Sequence, residues 1–116
     1  MTDIGVDKQR LRTWIELDRG TLAHNLRTLR GLLPDGCRLM AVAKSNAYGH
    51  GLYDFAPAVD QLGADWLGVD SIVEAVTLRE IGIEKPILVL GYTLPARFEE
   101  AAAAALDIAR GPEYRH

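Results

Sequence analysis

Apolar and polar positions along this chain fall into blocks whose spacing switches between the strand and the helix period. Residues 39–43 (Leu39, Met40, Ala41, Val42, Ala43) and 87–90 (Ile87, Leu88, Val89, Leu90) are apolar at every position, the pattern of strands covered on both faces. Residues 66–69 form a shorter apolar run and residues 14–17 alternate weakly, so both predict short strands. Between these runs the spacing is helical. Leu22, Leu26, Leu29 and Leu33 share one face of a helix that Thr21 can cap and Pro34-Asp35-Gly36 stops. A second helix is expected after Gly51. With Asp54 as its cap, Pro57 falls in the first turn, where a missing N–H costs nothing, and Gly63 ends it. Ser71 and Glu74 have capping-box spacing in front of Val76 and Leu78, and Gly82 closes that third helix. Thr93 and Pro95 open an alanine-rich helix, with Glu99 and Glu100 near its positive end.

Strand and helix thus alternate four times with short loops, which predicts parallel strands joined by right-handed crossovers and an α/β fold. A barrel and an open flavodoxin-like sheet both satisfy that alternation. The chain has 116 residues, 48% hydrophobic and 25% charged, as in an ordinary globular protein. Its net charge of −3 gives no basic excess for nucleic acid or an anionic membrane. Its apolar runs are far short of the ~20 residues of a membrane span, and residues 1–12 lack the apolar core of a secretory signal. A cytoplasmic location is the default. Cys37 is the single cysteine; it excludes an intramolecular disulfide and is expected to be a buried, inert thiol beside the strand. No His cluster or phosphate-loop spacing points to a metal or a nucleoside triphosphate.

The chemistry concentrates where the strand at 39–43 meets Lys44. An amine at the end of a buried strand is costly unless it is neutralised, paired or covalently used, and a buried lysine becomes a nucleophile able to form Schiff bases. The plain alternative is a lysine that extends its ammonium into solvent. Tyr48 adds a hydroxyl four residues on, and Gly49 and Gly51 permit close approach of a ligand to the backbone. His50, between those glycines, fits a loop-fixing role better than catalysis. His24 falls on a helix surface, and Asp65 and Asp70 flank a strand, where capping or loop roles outweigh a mutual pair.

The string Lys44-Ser45-Asn46-Ala47-Tyr48-Gly49-His50-Gly51 resembles the cofactor-lysine signature of the alanine racemases, pyridoxal-phosphate enzymes built on a (β/α)8 barrel. Ser45 stands where the usual pattern has alanine. The resemblance continues through Trp14-Ile15-Glu16-Leu17-Asp18 with Leu22-Ala23-His24-Asn25-Leu26, through Gly63-Ala64-Asp65-Trp66-Leu67-Gly68-Val69 and Leu78-Arg79-Glu80-Ile81-Gly82-Ile83, and through Pro86-Ile87-Leu88-Val89-Leu90-Gly91.

That resemblance implies N-terminal β/α units of a (β/α)8 barrel, with a polar leader at 1–11, a partial barrel at 12–108 and an unrelated tail at 109–116. It implies pyridoxal 5′-phosphate on Lys44, Lys44 also acting as one of two bases, Tyr48 on the cofactor phosphate, and Val42 and Leu90 walling the cofactor. It also implies interconversion of L- and D-alanine, hence a small-molecule amino-acid substrate, and a homodimer for the full-length family. The opposite-face base is a tyrosine of the partner's C-terminal domain in the family, and no residue here matches it. The chain is therefore expected to be an N-terminal piece, inactive alone. The alternatives are a serine or broad-specificity racemase, and a non-enzymatic pyridoxal-phosphate binder.

Overall fold

The computed structural model describes residues 8–108. The expected tail at 109–116 and most of the leader lie outside them; Lys8–Arg10 form one 3-10 turn. In chain order the elements are then α1 (Arg19–Gly31), β1 (Met40–Val42), α2 (Lys44–Tyr48), α3 (Leu52–Gln61), β2 (Trp66–Val69), α4 (Ile72–Ile81), β3 (Ile87–Val89), a 3-10 turn (Pro95–Arg97), α5 (Phe98–Ala103) and β4 (Asp107–Ile108). The strands form one parallel sheet in the order β1-β2-β3-β4, an α/β arrangement of successive β/α units.

The register separates the sheet's two faces. Ala41, Leu67 and Ile87 stand in one row and Val69 with Val89 in the next. Leu67, Val69, Ile87 and Val89 are all 0% exposed, covered by Leu52, Ala56 and Val59 of α3 and by Ala75 and Leu78 of α4. The other face carries the row Val42–Gly68–Leu88–Asp107, with Met40 beside Trp66. It is only half covered, and a shallow groove of about 550 Å³ runs over it between Arg38, Met40, Trp66, Leu88, Asp107 and Ile108. A strand apolar on both faces therefore has helices on one side only. A Cβ on Gly68 would lie 2.8 Å from Met40 Sδ, so a larger residue on this half-covered face would displace the flexible Met40 side chain.

Several local expectations are corrected. Residues 14–17 pair with no strand of the sheet; Trp14 and Ile15 are exposed, and the Trp14 indole donates to Glu16 two residues on. Alternation without a neighbouring strand stabilises nothing. Asp18, not Thr21, caps α1, its carboxylate accepting the Thr21 N–H at 3.2 Å. Of the expected face of α1, Leu22 and Leu26 pack on the core while Leu29 is exposed. Cys37 is exposed rather than buried, because it lies in the turn before β1 and not in the strand. Thr93 caps nothing: its hydroxyl is buried without a hydrogen-bond partner, and the turn opens instead from Leu94, whose carbonyl accepts the Arg97 N–H at 2.8 Å. The sequence does not announce β4, and α3 follows Gly51 as expected but is capped there rather than at Asp54.

The rim at the strand N-termini is tied by side chains. Asp65 accepts the Leu39 N–H at 2.8 Å and pairs with Arg30 at 3.0 Å; the Leu39 N–H first, and then Arg30, hold its carboxyl below the usual carboxylate range. Arg79 of α4 spends its guanidinium on four carbonyls: Ile83 at 2.8 Å, Lys85 at 2.7 Å, Ala104 at 2.9 Å and Ala105 at 3.0 Å. It thereby fastens the end of α5 to the loop entering β3. Ala105 itself has φ +53°, at the position after a helix where glycine is usual, with the Leu106 N–H closing on the Ala101 carbonyl.

Two outcomes are expected from these contacts. Arg79→Ala should destabilise the chain by about 2–3 kcal/mol, the scale for losing charged hydrogen bonds, and Arg79→Lys should recover little because an ammonium cannot reproduce the fork; denaturant midpoints measure both. Ala105→Gly should raise stability by about 0.5–1 kcal/mol by relieving the left-handed strain, and a lowered midpoint would contradict that account.

Candidate functional site

Beyond Val42 the chain leaves β1 through Ala43, which is fully buried and donates its N–H to the Gly68 carbonyl at 2.7 Å. Lys44 comes next, half-buried at the strand's C-terminal end. Counted on from β1, it has the parity of Met40 and Val42, the residues of the half-covered face. Among the described residues its amine has no ion-pair or hydrogen-bond partner.

The backbone after Lys44 takes an unusual path. Ser45, Asn46 and Ala47 have φ, ψ of 54°, 52°; 56°, 44°; and 55°, 47°, and Tyr48 has φ 55°. The element α2 is one turn of left-handed helix built without glycine, and each such residue costs about 1–2 kcal/mol. Its own bonds hold part of it: Ala47 N–H to the Ala43 carbonyl at 3.0 Å, and Gly49 N–H to the Asn46 carbonyl at 3.2 Å. Ala47 is buried in the core. The Asn46 side chain accepts the Leu52 N–H at 2.8 Å, and the Asn46 N–H is accepted by Glu74 Oε2 at 3.3 Å.

Asn46 also explains where α3 begins. By accepting the Leu52 N–H from the preceding turn, it lets the helix start two residues before Asp54, with Gly51 as its cap. Asp54 is then a first-turn residue and Pro57 is interior, so the Tyr53 carbonyl has no N–H four residues on. Tyr53 is exposed, where water can satisfy it.

The expected site residues fall around this turn. Val42 is half-buried on the open face and pairs with Gly68; Leu90 Cδ1 would lie 3.4 Å from a Cβ on the same glycine, with Leu90 40% exposed. Gly68 thus brings Val42 and Leu90 together beneath the strand ends. Tyr48 ends the left-handed turn, 60% exposed, its hydroxyl without a hydrogen-bond partner among the described residues. His50 stacks on Phe55, centroids 6.3 Å apart, and His24 is exposed on α1. Asp65 and Asp70 sit at opposite ends of β2 and do not meet. Asp70 accepts the Gly91 N–H through its carbonyl at 3.0 Å; a Cβ on Gly91 would strike that oxygen, so glycine is required there. Glu74 was legible only as a cap. Its reach to Asn46 spans 28 residues, and no local spacing announces it. No group of three or more His, Cys, Asp or Glu that could hold a metal exists among the described residues, and none of their helices is long and apolar enough to cross a membrane.

An uncommitted primary amine and an uncommitted phenol thus lie four residues apart just beyond the C-terminal end of β1. A strand C-terminus is where parallel α/β folds place their chemistry.

Known proteins resemble this chain in sequence and in fold. A model of the family described as alanine racemase, N-terminal domain, matches residues 17–109. The alanine racemase of Symbiobacterium thermophilum is 47% identical over 97 residues, covering 84% of this chain and 26% of the relative. An alanine racemase structure from Clostridium difficile 630 superposes with a TM-score of 0.81 at 33% identity, over 85% of this chain and 26% of that one. A histidine racemase from Leuconostoc mesenteroides subsp. sake superposes with a TM-score of 0.71 at 35% identity, over 76% and 23%. The chain spans about a quarter of the length of these relatives. By a match that covers most of its residues, the chain belongs to the alanine racemase family, through that family's N-terminal domain.

Proposed function

We propose that this chain supplies the cofactor-lysine segment of a pyridoxal-phosphate-dependent racemase that interconverts L- and D-alanine. The observation that carries the reading is the partnerless Lys44 amine at the C-terminal end of β1, set on a strained left-handed turn that ends in Tyr48. Family membership supports it. A histidine racemase also superposes on this segment, with a TM-score of 0.71 against 0.81 for the alanine racemase of Clostridium difficile 630; serine or broad specificity is the second reading, with a small-molecule amino acid as substrate in each case.

The residues fit pyridoxal 5′-phosphate. Lys44 would hold it by condensing its amine with the aldehyde, Tyr48 would donate its hydroxyl to the phosphate, and Val42 and Leu90 would wall the ring. When bound, the cofactor supplies an electron sink for the charge left as the substrate's α-proton departs. Once the substrate's own amine has taken its place, the freed Lys44 amine would take the α-proton from, or deliver one to, its own face of the substrate. Inversion needs a second acid–base group on the opposite face, which the family resemblance assigns to the partner of a homodimer. The whole protein is proposed to act in the cytoplasm.

Borohydride treatment of the 116-residue chain in the presence of pyridoxal phosphate, followed by peptide mapping, tests the assignment. The reduced adduct is expected on Lys44 and is expected to vanish in Lys44→Ala and in Lys44→Arg, which keeps charge without Schiff-base chemistry. Modification spread equally over Lys8, Lys44 and Lys85 would sink it. Tyr48→Phe is expected to weaken cofactor binding by about 1.5 kcal/mol, roughly tenfold in Kd, as for one hydrogen bond to a charged group. Titration with the cofactor reads this directly, and an unchanged Kd would remove Tyr48 from the phosphate site.

A further inference from the structure

The Glu74 carboxylate joins two strand ends instead of closing its own helix. In a capping box the glutamate returns to the N–H of the capping residue, here Ser71. Ser71 does its part, its hydroxyl accepting the Glu74 N–H at 3.3 Å. Glu74 reaches elsewhere: Oε1 accepts the Asp70 N–H at 3.1 Å and Oε2 accepts the Asn46 N–H at 3.3 Å. Asp70 directly follows β2, and Asn46 lies two residues beyond Lys44. Both partners are backbone donors, so only a side chain with two acceptor oxygens satisfies them together.

The Asn46 N–H belongs to the second of four consecutive left-handed residues. Relaxing the turn toward the right-handed region would swing that N–H away, so the Glu74 contact opposes the relaxation that local sterics favour. We propose that Glu74 is a positioning residue for Lys44: by clamping the left-handed turn to the end of β2 it fixes the direction in which the amine leaves β1, and so the rate at which it condenses with an aldehyde. This rests on the reading of Lys44 as the cofactor lysine.

Three variants of the 116-residue chain test it. Glu74→Ala removes both acceptors, and Glu74→Gln keeps the size but offers one acceptor and an NH2 that cannot accept. Ser71→Ala strips the cap from α4 without touching the Lys44 turn, and so reports the effect of fraying that helix. Amide hydrogen exchange at Asn46 is followed without cofactor, and the rate of borohydride trapping of pyridoxal phosphate on Lys44 is followed separately. In Glu74→Ala, Asn46 exchange is expected to accelerate and trapping to slow, each by about tenfold, the scale of one charge-assisted hydrogen bond. Glu74→Gln is expected to fall between, and Ser71→Ala to leave both rates at wild type. Should Glu74→Ala not fold, Glu74→Gln carries the same comparison. Wild-type exchange at Asn46 in the Glu74 variants overturns the proposal, as does faster exchange with unchanged trapping, or trapping slowed equally by Ser71→Ala. Absence of trapping in the wild-type chain overturns the cofactor reading itself, whereas unaltered exchange overturns the Glu74 contact alone.

Discussion

Burial of the sheet face formed by Leu67, Val69, Ile87 and Val89 is the constraint on which the rest of this structure depends. All four side chains are shut from water by α3 and α4. At roughly 1.5–3 kcal/mol for each fully buried aliphatic side chain, their burial is a large share of what holds the described residues together. Parallel pairing follows from it, because each helix must return across the same face before the next strand begins. Once β1, β2 and β3 are in register, their C-terminal ends lie side by side, and Ala43, Asp70 and Leu90 emerge at one rim.

That rim is where the structure departs from minimum local energy. Four successive left-handed residues would not persist in an isolated peptide. They persist here because Ala47 is packed into the same core that the sheet organises, and because Asn46 is held through its amide by Glu74 and through its side chain by Leu52. Strain at one end of the molecule is thus maintained by burial beneath it, a distribution common at functional sites. Among the described residues at the opposite rim, Ala105 is the single left-handed residue other than glycine. There Asp65, Arg30, Lys85 and Arg79 only tie loops to helix ends.

The two faces of the sheet divide the roles. One is a sealed core. The other, with Val42, Gly68, Leu88 and Leu90, is half covered and leads up to the Lys44 amine. The covalent role proposed for Lys44 agrees with an amine that has no ion pair among the described residues.

By itself the sequence determined the α/β alternation, the strands around Met40, Trp66 and Ile87, the capping of α4 by Ser71, and the motif at Lys44. These signals are local: an apolar run, a cap three residues from its partner, a string from Lys44 to Gly51. Tertiary structure decided what depends on distant neighbours. Residues 14–17 had the alternation of a strand but no strand to pair with, and β4 was too short to show any period. Asp54 looked like a helix cap because Asn46, folded back from the preceding turn, was invisible to local spacing. The left-handed path of α2 could not be read from Ser45, Asn46, Ala47 and Tyr48, none of which is glycine; it exists because a core contact and a carboxylate 28 residues away outweigh the steric preference of each residue.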